Sequence, residues 1–126
     1  MSKISSDLLL MRKEWYNAFF ALNIEQLDYL EADWFFSTNG QKMIYKKHQL
    51  RKLSLLKKDD PQSLAFTKRV ESDVEYKIFV GIATVTGKAK IINEIDDISN
   101  INFIESWIKI GNCWKLQFST FESIDA

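Results

Sequence analysis

The chain is short of the residues that staple, coordinate or punctuate a fold. Its 126 residues include one cysteine, one histidine, one proline and four glycines. A lone Cys113 cannot close an internal disulfide, and a lone His48 cannot anchor a multi-histidine zinc site, so neither metal nor cofactor is expected. So little glycine and proline excludes a collagen-like repeat, a low-complexity linker or a disordered tail. There is no charge of one sign in excess: 17 basic and 17 acidic residues leave a net charge of zero. Generic affinity for nucleic acid or for a membrane surface is therefore not expected. Apolar runs last a few residues, far short of the ~20 that cross a bilayer. The opening residues, Met1-Ser2-Lys3-Ile4-Ser5-Ser6-Asp7, lack the pattern of a secretory signal, and a cytoplasmic address is the expectation. What is there is apolar mass, 46% hydrophobic with 13% aromatic. A chain of this length buries about two-thirds of its unfolded surface and needs no staple.

The first half reads as helical. Leu8, Met11, Trp15, Phe19 and Leu22 recur in steps of three and four, one face of a helix that Ser5, Ser6 or Asp7 can cap. Leu9, Tyr16 and Phe20 lie on another side of it, as in a helix shared between a core and a cavity or partner. Asn23 with Gln26 has capping-box spacing, so a second helix starts at Ile24. It carries Ile24, Leu27 and Leu30, with Trp34 as a further turn, before Asn39-Gly40 breaks it or turns a short extended segment. A third helix is predicted from Met43 to Lys58, with Leu50, Leu53 and Leu56 inward. Asp59-Asp60-Pro61 ends it.

After Pro61 the period becomes two. Val74, Tyr76, Ile78, Val80 and Ile82 alternate with Glu75, Lys77, Phe79 and Gly81, which predicts one long strand with a bulge or bend at Gly81. Ala83, Val85 and Gly87 run on towards a turn. Two more strands, Phe103–Ile110 and Trp114–Phe121, flank a hairpin turn at Gly111-Asn112. Trp114, Leu116 and Phe118 are expected on one face of the last strand, with Lys115, Gln117 and Ser119 on the other. Phe103 and Trp107 oppose Ile104, Ile108 and Ile110 in the strand before. Both sheet faces are thus apolar, and a homodimer burying the outer one is the economical expectation.

Three patterns carry a resemblance. They are Trp15-Tyr16-Asn17-Ala18 with Asn23-Ile24-Glu25-Gln26-Leu27 through Ala32-Asp33 to Asn39-Gly40; Val80-Gly81-Ile82-Ala83-Thr84-Val85-Thr86-Gly87; and Glu105-Ser106-Trp107-Ile108-Lys109-Ile110-Gly111-Asn112-Cys113-Trp114-Lys115-Leu116. In this order they resemble the SnoaL-like branch of the nuclear transport factor 2-like superfamily, with residues 1–126 as one such domain. The resemblance implies an α+β fold. Three N-terminal helices pack in the concave face of a strongly curved, mainly antiparallel sheet, a cystatin-like cone with a pocket at its open end, usually dimeric. It implies no single activity, because members include isomerases, dehydratases, cyclases, association modules and immunity proteins.

The resemblance also supplies a test for catalysis. Isomerase-like and cyclase-like members carry an acid/base carboxylate on the strand after the second helix. Matching through Asn23-Ile24-Glu25 and Asp33 puts Asn39 there, an amide that cannot take a proton at neutral pH. The family's first-helix tyrosine falls near Trp15 or Tyr16, and only Tyr16 has the hydroxyl. A positive residue often found before the terminal hairpin falls at Asn102. No complete constellation results; any activity would be a lyase- or isomerase-type proton transfer. Asp33 is the remaining carboxylate near the expected pocket, as a general base or as a helix-end group bound to backbone amides. His48 is a titratable candidate or a partly exposed helix residue. Trp15, Phe19, Phe36, Tyr45, Trp107, Trp114 and Phe118 complete the pocket candidates, as wall or as core.

Charge is segregated along the chain. Trp34 to Lys58 holds seven bases and no acid, with Lys47, Arg51 and Lys58 on one helical stripe, whereas Ile91 to Ala126 holds six acids and two bases. This is a solvated helix face or a steering surface for an anionic partner. Two functions remain: a dimer whose cone holds a small, mostly apolar molecule, or a protein-interaction module such as a toxin-neutralising immunity protein.

Overall fold

The computed structural model describes residues 6–93 and 98–124. The capping option at Ser5 and the acids Glu94, Asp96, Asp97 and Asp125 lie outside them. Among the described residues the order is α1 (Ser6–Phe20), α2 (Ile24–Leu30), β1 (Glu31–Thr38), β2 (Met43–Tyr45), α3 (Lys46–Asp59), β3 (Lys68–Ile78), β4 (Ile82–Ile92), β5 (Ile98–Ile110) and β6 (Cys113–Ser123).

Local chemistry sets the helix boundaries. Helix α1 closes with a Schellman-type pair, Asn23 N–H to the Ala18 carbonyl at 2.8 Å and Leu22 N–H to Phe19 at 3.1 Å. Leu22 takes the left-handed position, φ 54°, which usually falls to glycine. Its fully buried side chain offsets that backbone cost by filling the core. Asn23 then caps α2 through its Oδ1, which accepts from Gln26 N–H at 3.3 Å. The second helix ends at Leu30 rather than reaching Trp34, because β1 takes over and pairs with β6. The third helix starts at Lys46, three residues later than predicted, since Met43–Tyr45 pair with Phe36–Thr38 as a strand.

The six strands form one sheet in the order β2-β1-β6-β5-β4-β3, antiparallel except where β1 runs parallel to β6. The long strand predicted through Gly81 is two strands. The chain reverses at Phe79–Gly81, with Phe79 N–H bonded to the Ile82 carbonyl at 2.8 Å. Apolar residues occupy this turn, Val80 being almost fully exposed, so the alternation of residue types runs on across it unbroken. Nor does the chain turn at Gly87, which lies inside β4 opposite Phe103. The Gly111-Asn112 turn stands as predicted, with Gly111 at φ 63°.

The helices cover one sheet face. Leu8, Trp15, Leu27, Leu30 and Leu53 from the helices meet Phe35, Val85, Ile101, Phe103, Trp107, Trp114 and Leu116 from the sheet in one core. A register shift in β6, where Ser106 faces Phe118 but Trp107 faces Leu116, inserts Gln117 as an extra residue. Phe118 is thereby moved off the face of Trp114 and Leu116. It stacks instead on Phe36 at 5.4 Å, while Ser119 and Phe121 turn inward.

Candidate functional site

Between α1, α3 and the inner face of the sheet lies a cavity of about 720 Å³. Helix α1 supplies Trp15, Tyr16, Phe19 and Phe20; α3 supplies Gln49, Lys52, Leu53, Leu56 and Asp59; the strands supply Phe35, Arg69, Ile101, Phe103 and Phe121, among others. The α1 residues reach it because they project from one side of the helix, with Trp15 and Phe19 stacked at 5.3 Å.

Of the sequence candidates, Trp15, Tyr16 and Phe19 come together in this wall. The others do not line it. Asp33 is exposed on β1, with Lys46 Nζ at 3.9 Å, in the irregular stretch between Glu31 and Phe36 where the pairing with β6 shifts register. Asn39 sits in the exposed β1–β2 turn, where its Oδ1 accepts from Gln41 N–H at 3.0 Å and Lys42 N–H at 3.1 Å. His48 is exposed on α3. Phe36, Tyr45 and Phe118 lie together on the outer sheet face, paired in register. Trp107 and Trp114 face inward but are closed into the core beyond the cavity. Asn102 also faces outward, donating to Glu122 Oε2 at 3.0 Å.

A buried ionic cluster backs the wall, and none of its charged members was among the candidates. Arg12 Nε and Nη2 donate to Glu105 at 2.8 Å each, and its Nη1 and Nη2 donate to Glu71 at 2.8 and 2.7 Å. Tyr16 OH donates to Glu105 Oε2 at 2.5 Å, and Trp107 Nε1 to Glu105 Oε1 at 3.0 Å. Arg69 Nε donates to Glu71 Oε2 at 2.9 Å. Both guanidinium groups lie over the rings of Tyr16 and Phe103, at 4.4 to 5.3 Å from the centroids. Burial opposes the charge on Arg12, but the bonds to Glu71 and Glu105 outweigh it and raise its pKa. Burial likewise pushes the Glu71 carboxyl up, yet the donors from Arg12 and Arg69 hold it below the ordinary range. Burial and then the charge of Glu105 raise the Tyr16 hydroxyl well above its usual value, so it acts as a donor.

A second buried acid lies on the other side of Trp15. Glu31, the first residue of β1, is 2% exposed and accepts from Trp15 Nε1 at 2.9 Å through Oε2. Its Oε1 has no partner, and neither has Gln49 Oε1. Burial lifts this carboxyl to about 7, against the opposing bond from Trp15. The signal for Arg12 and Glu105 was present in the sequence. Arg12 stands between Leu8 and Trp15 on the inward stripe, and Glu105 between Phe103 and Trp107 on the inward face of β5. A charge where periodicity demands an apolar residue marks a buried pair. Among the described residues no cluster of His, Cys, Asp and Glu is fit to hold a metal ion. No described helix is long and apolar enough to cross a membrane.

No family profile matches the chain, and no curated protein matches it. Solved structures do. A nuclear transport factor 2-like protein of Cytophaga hutchinsonii is 16% identical, with a TM-score of 0.80 over 98% of this chain and 100% of that one. A cystatin-like protein of unknown function from Nostoc punctiforme is 10% identical, with a TM-score of 0.74 over 95% of this chain and 90% of that one. A nuclear transport factor 2-like protein of unknown function in nutrient uptake, from Rhodospirillum rubrum, is 15% identical, with a TM-score of 0.73 over 95% of this chain and 100% of that one. At these identities the likeness is one of fold. The chain has the nuclear transport factor 2-like, or cystatin-like, α+β fold.

Proposed function

We propose that this protein binds a small, mostly apolar molecule in the cavity between α1, α3 and the sheet, as a SnoaL-like member of its fold. The observation that carries this reading is the cavity itself. Its volume falls in the range of small-molecule sites, and its wall is aromatic and aliphatic with a few polar groups. The reading is of binding rather than turnover. Among the described residues the one carboxylate lining the cavity, Asp59, sits at the exposed end of α3, and Tyr16 is committed to Glu105. Asn39 is spent on its own turn.

The active unit in this reading is a homodimer joined through the outer sheet face. Trp34 and Tyr45, 52% and 53% exposed, lie beside the paired Phe36 and Phe118, and Ile104 and Ile82 are exposed on the same face of β5 and β4. An apolar surface of this extent suits a partner better than water. The unpaired Cys113 fits a reducing compartment, and we place the protein in the cytoplasm.

Native mass spectrometry of the freshly purified protein tests both parts. A dimer carrying a reproducible extra mass is the expected result. A monomer removes the interface. An empty protein that also fails to take up added N-phenyl-1-naphthylamine, an apolar fluorescent probe, removes the ligand.

A further inference from the structure

The turn between β3 and β4 holds apolar side chains where a hairpin turn usually holds glycine, asparagine or aspartate. Phe79 and Val80 are 68% and 97% exposed, and Ile78 stands exposed beside them at the end of β3. Backbone bonds tie the turn down, from Phe79 N–H to the Ile82 carbonyl at 2.8 Å and from Lys109 N–H to the Gly81 carbonyl at 2.9 Å. The second bond, with the pairing of Ile82 and Ile108, sets this turn beside the one between β5 and β6. There Ile110 is exposed as well. Four apolar side chains thus crown one end of the sheet.

The charge on these two turns has one sign. Residues 76–93 and 106–121, which include both, hold five lysines and no acid. Lys77 and Lys109 flank the apolar residues in the exposed part of the chain. Neither makes an ion pair among the described residues. Lys115 lies behind them, over the ring of Tyr29 at 3.5 Å. The zero net charge of the chain conceals this local excess, because the balancing acids lie outside these segments.

The two features together select an occupant. The exposed parts of four side chains fall short of the ~800 Å² per side that a stable protein complex buries. A nucleic acid would find a single aromatic ring to stack on, that of Phe79. A bilayer needs neither a large area nor a matching shape. Apolar side chains enter the boundary between headgroups and acyl chains, lysines beside them meet anionic headgroups, and the two contributions add. We propose that the β3–β4 tip docks the protein on an anionic lipid surface. Phe79 and Val80 enter the headgroup boundary, and Lys77 and Lys109 lie against acidic headgroups. This docking is independent of what the cavity holds.

Flotation of the full chain with lipid vesicles tests the proposal. Wild type should float with vesicles of phosphatidylcholine and phosphatidylserine, and should bind vesicles of phosphatidylcholine alone at least ~tenfold more weakly. Val80→Asp changes a side chain open to solvent, so it should keep the unfolding midpoint while lowering binding to the mixed vesicles at least ~tenfold. Lys77→Gln combined with Lys109→Gln should lower it about tenfold as well. Lys47→Gln combined with Arg51→Gln removes equal charge from the exposed face of α3 and should leave binding within ~twofold of wild type. A wild-type chain that never floats overturns the proposal; if Val80→Asp then lowers the subunit number seen by light scattering, the tip belongs to a second copy instead. Equal binding to the two kinds of vesicle overturns the role of the lysines. Undiminished binding in Val80→Asp overturns the insertion of the tip. A loss in the α3 variant as large as that in the Lys77 and Lys109 variant overturns the placement of the docking charge at this end.

Discussion

At the scale of single residues, the buried Glu31 and the half-buried Glu71 respond to pH in opposite ways. Glu31 has its pKa raised by burial from 4.5 to about 7, so the folded state holds that proton more tightly than the unfolded chain. Its contribution is fully present below about pH 4.5 and is lost as pH rises towards 7, by at most ~3 kcal/mol. Glu71 is lowered, so its contribution is present above pH 4.5 and lost on acidification. The two contributions therefore oppose each other, Glu31 weakening the fold as pH rises and Glu71 as it falls. Glu31→Gln keeps an acceptor for Trp15 Nε1 and removes the charge. Urea unfolding at pH 8 should find this variant more stable than wild type by about 1–3 kcal/mol, with the difference gone at pH 4.5. A variant less stable at pH 8 would mean that Glu31 is ionised in the fold at no cost. The partners of Arg12 could not be read from the sequence. Arg12 meets Glu71 across 59 positions and Glu105 across 93, and only the assembled sheet brings them together.

At the scale of elements, what the sequence made legible was whatever local chemistry decides. The Asn23 cap, the stop before Pro61, the Gly111 turn and the inward alternation of β5 depend on neighbours a few residues apart. What it concealed depends on distant partners. The parallel pairing of β1 with β6 shortens α2, and the extra residue at Gln117 sends Phe118 to the outer face. The same logic explains why only three of the eleven site candidates reach the cavity: residue type alone does not give the strand register and element boundaries that direct the rest elsewhere. Two substitutions probe these elements. Asn23→Ala removes the side-chain acceptor for Gln26 N–H and should cost ~1 kcal/mol, read as a lower thermal midpoint. Gly87→Ala should cost more, about 1–3 kcal/mol. Its Cβ would stand 3.0 Å from Phe103 Cζ and 3.2 Å from the Ser72 carbonyl, between a ring packed into the cavity wall and backbone that cannot give. An unchanged midpoint in Gly87→Ala would show that Phe103 has room to move.

At the scale of the whole molecule, the sheet separates two apolar surfaces with different expected fates, an inner one wrapped around a cavity and an outer one offered to a second copy. Ile104, 45% exposed at the middle of β5, lies on the outer surface and contributes little to the core. Ile104→Lys should leave the unfolding midpoint nearly unchanged and weaken the dimer at least ~tenfold by light scattering. An unaffected dimer would place the interface elsewhere. The central claim is that the inner cavity binds an apolar molecule. Its most direct test is a fluorescence titration with N-phenyl-1-naphthylamine, comparing wild type with Ser119→Trp, which fills the cavity from β6. Saturable binding of one probe per chain is expected in wild type, and its loss in a variant that still unfolds cooperatively. No saturable binding in wild type, or equal binding in the filled variant, would contradict it.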